Sequence, residues 1–556
     1  MKAVAIESPK KSPSLGKTAR LVAILTIVSK FLGLIRDQVV GFVYATTFLA
    51  DAYNYAYLFT GNILILFGGL GGPFHSATVA TLTPKKQDPE SGALVAQVMA
   101  CTSVIMTLVA VLMCLFAPQL VHAVASDYGL NNPVNRNEFF EEAIFQLRVM
   151  SPLVVIAGLI GVTYGVLNVF NKIFWPSLSP AIASIAVVIA VTMDKSHSTS
   201  IPLAVGTLIG AFGQLFAQMP GMFSCGLNFR LPLKLVSGVR DYCLMLLPAA
   251  VGTSIGQLIG FVDSRFCSGI EGGWTAICMA NRLFQLPLGI LVTAAVVPLL
   301  PRFTEQAVNN EIDALKKEFR RAISVLCFIA IPLTMVLVVL PRQIIQLLFQ
   351  HFNFTEDSTR IVTQALIYLT PSMVVYIARD LITRVFYGFQ DTRTPFRVAV
   401  AAILIKIALD WLFVVILKQG VAGISLATSI ITVFNFSILA FLLRRKIGRL
   451  GMSVLIRPVV FMILAAIAGG FTTFYLFDYL HGALSIPNAG AMSQIVALGI
   501  PINAVTKTVD VLEQLVRIAV PGGLGCLVYG LICMALRLDE PRQILARFKR
   551  SQPSPQ

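Results

Sequence analysis

Apolar and polar positions along this chain alternate in long blocks rather than residue by residue. Fourteen apolar runs stand out, near residues 19–44, 52–81, 93–118, 142–169, 176–193, 202–228, 242–265, 274–298, 321–340, 361–388, 396–417, 421–443, 458–480 and 516–536. A helix needs roughly 20 predominantly apolar residues to cross the hydrocarbon core of a bilayer, and most of these runs meet that length. A helix satisfies its backbone N–H and C=O groups within the segment, as lipid requires. The pattern predicts an all-α polytopic membrane protein with about 14 transmembrane helices.

Composition removes the main alternatives. Of 556 residues, 56% are hydrophobic and 13% charged, and the mean hydropathy is +0.80. Soluble proteins carry about 25% charged residues, so a water-soluble globule and a disordered chain are both excluded. No hydrophilic stretch is long enough for a separate soluble catalytic domain. The nine cysteines, among them Cys101, Cys114, Cys327 and Cys533, fall mostly in apolar runs and form no CxxC pair. They read as apolar filler, with no metal site or disulfide framework expected. The opening MKAVAIESPKKSPSLGKTAR is a polar basic tail without the apolar core of a signal peptide.

The net charge of +16 would suggest nucleic acid in a soluble protein; here it reports topology. Sorting Lys and Arg by the side on which the fourteen spans place them gives 28 on the side of the N-terminal tail and 7 on the other. Cytoplasmic loops collect Lys and Arg, so both termini are expected in the cytoplasm. Eight basic residues remain inside or near the ends of spans: Lys30, Arg36, Arg148, Arg265, Arg282, Arg379, Arg384 and Lys406. A charge at the bilayer centre costs at least ~2.5–3.5 kcal/mol, so these need snorkelling room, a counter-charge, a wet cavity or an anionic ligand.

The fourth and tenth spans repeat one another. Pro152–Pro176 and Pro371–Pro395 have equal proline spacing, and Phe170 and Asn171 match Phe389 and Gln390. The offset of six helices predicts two like-oriented six-helix lobes, with a substrate site between them. The expected plan is a basic cytoplasmic tail (1–18), an N-lobe (19–230, helices 1–6), a C-lobe (240–445, helices 7–12), a C-terminal helix pair (455–537) and a cytoplasmic tail (538–556). The pair encloses an outside loop, 481–515, in which VTKTVDVLEQLVRIAV reads as an amphipathic stretch.

The candidate chemistry lies inside the spans. Lys30, Arg36 and Asp37 interrupt the first, Asp51 opens the second and Arg282 sits within the eighth. Three cations with few acids suit an anion: Arg binds phosphate bidentately and Lys acts as a point charge. The second half differs. Arg379, Asp380 and Arg384 form a polar cluster on the tenth span, while Lys406 and Asp410 share one face of the eleventh. Lys406–Asp410 reads either as mutual neutralisation or, with Asp263 of the seventh span, as a coupling site for a cation or proton. His75 reads as a polar packing residue. There is no GxxxxGK[ST] loop for ATP, and no HExxH, GxSxG or paired-carboxylate motif stands out, so an enzyme has no positive support.

SKFLGLIRD (29–37), DAYNYAY (51–57), ANRLFQLPLGIL (280–291), LLFQHFNFT (347–355) and FYGFQDTRTP (386–395) resemble signatures of the MviN/MurJ family, across most of residues 20–445. The resemblance implies a fourteen-helix, two-lobed member of the multidrug/oligosaccharidyl-lipid/polysaccharide exporter superfamily, in the bacterial inner membrane. Its implied function is flipping lipid II, the undecaprenyl-pyrophosphate-linked peptidoglycan precursor, to the outer leaflet for cell-wall synthesis. By that resemblance Lys30, Arg36 and Arg282 match the essential cavity cations, with Asp37 and Asp51 as supporting acids. Asp263, Asp410 and Thr428 are the nearest matches to a sodium site of some relatives. The implied partners are lipid II or a related prenyl-pyrophosphate glycolipid, membrane lipids and cell-wall synthesis proteins, with a monomeric chain, no nucleic acid and no cofactor. Coupling to membrane potential, H+ or Na+ is open.

The chain departs from the family pattern at several positions. Lys30 stands where Arg is usual, Gln285 where Glu is common, and ILILFGGLGGPFHSA where paired Arg and a Glu are usual. Lys406 falls near an expected sodium-ligand amide, which suggests that it replaces the ion and leaves proton or membrane-potential drive. The rival readings are a flippase for another prenyl-linked saccharide and a cation-coupled drug antiporter of the same superfamily.

Overall fold

The computed structural model describes residues 15–541 except 70–71, 131–132, 173, 195–198, 233, 235, 293–298, 484–501 and 539. Among the described residues the chain is helical throughout, with no strand. In order the helices are α1 (Leu15–Tyr44), α2 (Phe48–Gly68), α3 (Pro73–Leu82), α4 (Ser91–Leu115), α5 (Ala117–Ala125), α6 (Pro133–Met150), α7 (Leu153–Val169), α8 (Phe174–Met193), α9 (Ile201–Phe216) and α10 (Met219–Phe223). There follow α11 (Val239–Cys267), α12 (Gly273–Leu291), α13 (Leu299–Val308), α14 (Ile312–Val339), α15 (Pro341–Phe349), α16 (Glu356–Leu369), α17 (Ser372–Gly388), α18 (Arg393–Asp410), α19 (Gly420–Ile447), α20 (Ser453–Ala483) and α21 (Ile502–Ala535).

Ten of the described helical stretches are long and apolar enough to cross a membrane, and an eleventh is the bent pair α16–α17. The other three of the fourteen expected spans correspond to α1, α11 and α12. These three carry polar or charged residues inside the helix: Lys30, Arg36 and Asp37 in α1, Asp263 and Arg265 in α11, Asn281 and Arg282 in α12. Charged residues inside a span face protein or a wet cavity.

Several boundaries differ from the sequence reading. The second span is broken near Gly69–Gly72, where α2 ends and Pro73 starts α3. The fourth begins at Pro133 and breaks at Ser151–Pro152, and the tenth bends by 48° at Thr370–Pro371. Proline has no N–H to continue the ladder and clashes with the preceding turn. At the C-terminal pair, helix α21 already covers 502–515, which were expected in the outside loop. The helical spacing of the apolar residues in VTKTVDVLEQLVRIAV and the Glu513–Arg517 pair on one face both favour helix there. The rest of that loop (484–501) and most of both tails lie outside the described residues.

The internal repeat appears in the backbone at residue resolution. A shift of 219 residues, the distance from Pro152 to Pro371, superposes both ends of α7 on those of α17, and the starts of α8 and α9 on those of α18 and α19. The turns match as well. Asn171 and Gln390 both take the left-handed conformation, each with φ 58°. In the first turn, Asn171 N–H bonds Asn168 O (3.0 Å) and Lys172 N–H bonds Leu167 O (2.7 Å). In the second, Gln390 N–H bonds Tyr387 O (2.9 Å) and Asp391 N–H bonds Phe386 O (2.9 Å). This is the Schellman pattern of helix termination, formed twice. Asp391 then accepts from Thr394 N–H (3.1 Å) and Oγ1–H (2.9 Å), and from Lys446 Nζ (2.8 Å). FYGFQDTRTP is thus a structural motif that stops one helix and starts the next. Partial burial pushes the Asp391 carboxyl up, but Lys446 and Thr394 outweigh it and hold it below the usual range.

Tertiary packing divides the chain into two compact units that interleave in sequence. The first runs up to Val39 and includes Phe59–Ala117 and Phe145–Ser254; the second takes Val40–Leu58, Pro118–Ile144 and the chain from Ile255. The first has its core around Leu153, Ile156, Ile160, Tyr164, Ala211 and Leu215. There the Tyr164 hydroxyl donates to Pro176 O (3.0 Å) and accepts from Gln214 Nε2 (3.1 Å), so a buried polar group is satisfied inside an apolar layer. In the second unit α20 packs along α21, and Thr473 Oγ1 donates to Gly469 O (2.9 Å) of its own helix.

The two left-handed turns yield a prediction. A non-glycine residue in that conformation costs ~1–2 kcal/mol, less for Asn. Gln390→Gly is expected to stabilise the chain by about 0.5–1 kcal/mol, while Asn171→Gly changes little. Thermal unfolding in detergent checks this; an equal or lower midpoint for Gln390→Gly would overturn it.

Candidate functional site

On α1, in the first unit, Arg36 places Nε and Nη2 at 3.0 and 2.8 Å from Asp37 Oδ1. The guanidinium is held by its neighbour in sequence while its side chain stays 28% exposed. Asp37 therefore orients a cation that still has access to an anion. Lys30 lies about two turns earlier and is half-buried. Arg282, half-buried on α12, belongs to the second unit.

Asp51 is fully buried, and both of its oxygens are engaged. Oδ2 accepts from Gly272 N–H (2.7 Å) and the Tyr128 hydroxyl (3.1 Å); Oδ1 accepts from Thr275 N–H (2.9 Å) and Oγ1–H (2.7 Å). These donors surround the N-terminus of α12. A carboxylate from α2 thus caps the helix that carries Arg282, where the first-turn N–H groups lack intrahelical partners and the helix dipole favours negative charge. The turn before α12 depends on Gly272 at φ 72°, where a Cβ would lie 2.4 Å from Thr46 O. Nearby, Asn54 Nδ2 donates to Thr275 Oγ1 (2.9 Å). Gly272, Thr275 and Tyr128 were not singled out from the sequence. The Gly-Gly before Trp274 was the available signal.

The second polar centre joins three helices of the second unit. Lys406 of α18 is fully buried, with Nζ 2.5 Å from Asp410 Oδ1, 2.7 Å from Asp263 Oδ1 of α11 and 3.3 Å from Ile424 O of α19. Thr428 Oγ1 donates to the same Ile424 carbonyl (3.0 Å) rather than to the ion pair. An ammonium has three N–H donors, and three acceptors surround this one. Directly after Asp410 the helix widens into a π-turn, Trp411–Ile416, with Leu417 N–H bonded to Leu412 O (2.9 Å). Such widened turns recur at functional sites. The sequence suggested the Lys406–Asp410 pair and Asp263 as its third member; the π-turn left no sequence signal.

The remaining charged candidates are placed as follows. Arg384 Nε bonds Asp380 Oδ2 (3.2 Å), and the Arg379 guanidinium lies 4.0 Å from the centre of the Tyr376 ring. Arg265 leaves the end of α11 to pair with Asp127 (2.7 Å), and that bond, outweighing partial burial, holds the Asp127 carboxyl below its usual range. His75 Nε2 is 3.1 Å from Asn168 Nδ2, a packing contact between α3 and α7. Among the described residues no cluster of three or more His, Cys, Asp or Glu could hold a metal ion.

The family profile described as "Lipid II flippase MurJ" matches residues 43–486. The chain belongs to the MurJ lipid II flippase family. A "Probable lipid II flippase MurJ" of Synechocystis sp. is 31% identical over 464 residues, covering 80% of this chain and 84% of that protein. The "Lipid II flippase MurJ" of Thermosipho africanus is 25% identical over 421 residues, covering 76% and 84%. Among solved structures, a "Lipid II flippase MurJ, inward closed conformation" aligns with a TM-score of 0.73 at 23% identity, covering 94% of this chain and 99% of that one. An inward-facing multidrug resistance MATE transporter of the MOP superfamily aligns at 0.62 and 15% identity, covering 78% and 98%. The fold is that of this transporter superfamily, and the chain is a multi-pass membrane protein. Of the segments that resemble this family, DAYNYAY supplies the Asp51 cap and ANRLFQLPLGIL supplies Arg282; none supplies Lys406.

Removing the ammonium from the three-helix centre would leave two carboxylates facing each other in a dry interior. Lys406→Met is expected to cost about 3–5 kcal/mol of stability, and adding Asp263→Asn and Asp410→Asn to recover most of it. Denaturation of the purified variants measures both; an unchanged midpoint for Lys406→Met would refute the charge accounting.

Proposed function

We propose that this chain carries lipid II, a prenyl-pyrophosphate-linked peptidoglycan precursor, from the inner to the outer leaflet of the bacterial inner membrane. The observation that carries the reading is the family match over residues 43–486, together with cations inside two membrane helices, Lys30 and Arg36 in α1 and Arg282 in α12. Lys30, Arg36 and Arg282 receive the pyrophosphate. Asp37 holds the Arg36 guanidinium in place, and Asp51 pins the helix that presents Arg282. The prenyl chain stays in lipid while the headgroup crosses by alternating access. Binding drives the change only through its different affinity for the two states. The 28-to-7 distribution of Lys and Arg supports cytoplasmic termini, with the headgroup taken up from that side.

The test uses purified protein in liposomes with labelled lipid II and an impermeant probe of the outer leaflet. Wild type is expected to translocate. Arg36→Ala and Arg282→Ala, each still folded, are expected to lose about 10- to 100-fold in rate, the worth of a charge-assisted bond to phosphate. Full activity in both variants would discard the anion site, and no wild-type translocation would discard the substrate.

The Lys406 centre supports a reading of the drive. Two carboxylates and a carbonyl around one nitrogen form a cation site whose cation is tethered to the chain. The family member described here then needs no alkali ion and runs on membrane potential or protons. Its lipid II transport is expected to be equal in sodium and choline buffers at fixed potential; loss of activity on sodium removal would contradict this.

A further inference from the structure

The segment between α10 and α11 crosses the start of α4 as a tied strap, and beneath it lies a pocket of about 360 Å3 in the first unit. Gln97, buried on α4, donates from Nε2 to Pro232 O (2.8 Å) and Lys234 O (2.7 Å), and its Oε1 accepts from Val236 N–H (2.8 Å). Lys85 bonds the Ser237 carbonyl and its hydroxyl, the latter at 2.5 Å. Gly92 lets the strap lie against the helix, since a Cβ there would stand 2.3 Å from Asn228 O. The pocket is therefore preformed.

Its lining carries Arg230 and Lys234, both exposed, with Glu90 as the one acid and Pro89, Asn228 and Ser237 beside them. Lys85 and Lys86 are already used: Lys85 ties the strap, and Lys86 bonds Val169 O (2.9 Å). For Arg230 and Lys234, no side-chain partner is seen among the described residues. The end of α10 and the same segment expose large apolar side chains, with Phe223 71%, Leu231 65% and Phe229 37% exposed. α4 enters its 25-residue apolar run at Ser91, immediately beside the pocket, so the pocket sits at the boundary between lipid and water.

We propose that this pocket binds the phosphate of an anionic membrane phospholipid, separately from the transported substrate. Arg230 and Lys234 neutralise the headgroup, and Leu231 and Phe229 lie against its acyl chains. The apolar exposure favours a lipid over a soluble phosphate, which would gain nothing from it. The pocket lies on the face that the Lys and Arg bias assigns to the cytoplasm, where anionic headgroups draw basic juxtamembrane segments.

The experiment incorporates the full-length chain into nanodiscs of equimolar phosphatidylglycerol and phosphatidylcholine, then counts the lipids retained by mass spectrometry after mild delipidation. Wild type is expected to retain phosphatidylglycerol about tenfold over phosphatidylcholine, from two cations at a surface site. Arg230→Gln/Lys234→Gln is expected to bring the ratio close to parity, and Arg230→Lys to keep most of it. Inorganic phosphate in millimolar excess should leave the retained lipid unchanged. Equal retention of the two lipids by wild type overturns the proposal, without reference to any variant. Displacement by inorganic phosphate overturns it in favour of a soluble anion, and an unchanged ratio in the folded double variant moves the lipid elsewhere.

Discussion

A charge inside a bilayer must bring its own compensation, and this constraint governs where this chain places its polar residues. Eight basic side chains lie in or near spans, and the fold meets their cost in different ways. Arg265 leaves the helix end for Asp127, Arg384 takes Asp380 one turn away, and Arg379 lies on an aromatic face. Lys406 has a full set of acceptors from three helices. Arg36 pairs with the carboxylate adjacent to it in sequence, and part of its side chain stays accessible.

The two polar centres differ in saturation. Asp51 is fully buried with both oxygens hydrogen-bonded, while around the fully buried Lys406 the Asp410 Oδ2 atom has no hydrogen-bond partner among the described residues; both centres fix helices to one another. Asp51 fixes the start of α12, and Lys406 fixes α11, α18 and α19. Arg282 lies between these constraints, about two and a half turns along a helix whose N-terminus is pinned. A helix held only by apolar contacts in lipid has little to set its rotation, because lipid tails are as apolar as its neighbours. A buried carboxylate bonded to two specific backbone N–H groups sets rotation and height together.

Much of this was legible in the sequence, for a physical reason. Span length, apolar composition and Lys/Arg asymmetry are one-dimensional consequences of the bilayer, so the helical class and most helix positions follow from the pattern alone. The proline-spaced repeat was legible too, because a proline and an amide at a helix end act locally. Asn171 and Gln390 adopt the same left-handed turn 219 residues apart. What the sequence could not show depends on residues distant along the chain. The donors to Asp51 come from residues 128, 272 and 275, and nothing near position 51 announces them. The breaks within the second, fourth and tenth spans fall at Pro73, Pro152 and Pro371, but the apolar residues on both sides kept each run reading as one span. The first turns of α21 carry Lys507, Asp510 and Glu513, so the amphipathic stretch read within the outside loop continues without a break into the last span.

On the reading of Lys406 proposed above, the tethered ammonium changes how conformational coupling works. A soluble coupling ion can leave its site, so the energy of the empty and filled site can differ between transport states. Lys406 cannot leave. Its side chain can only exchange one set of acceptors for another, or lose a proton to one of the carboxylates. With one ammonium and two carboxylates the centre carries a formal excess of one negative charge when all three are ionised, and one added proton makes it neutral. Any change in packing among α11, α18 and α19 must then move that charge balance, or be opposed by it, since a dry interior tolerates neither an unpaired ammonium nor an unpaired carboxylate. The π-turn after Asp410 offers the local slack for such a shift, because a widened turn can pass its extra residue along the helix without breaking the ladder.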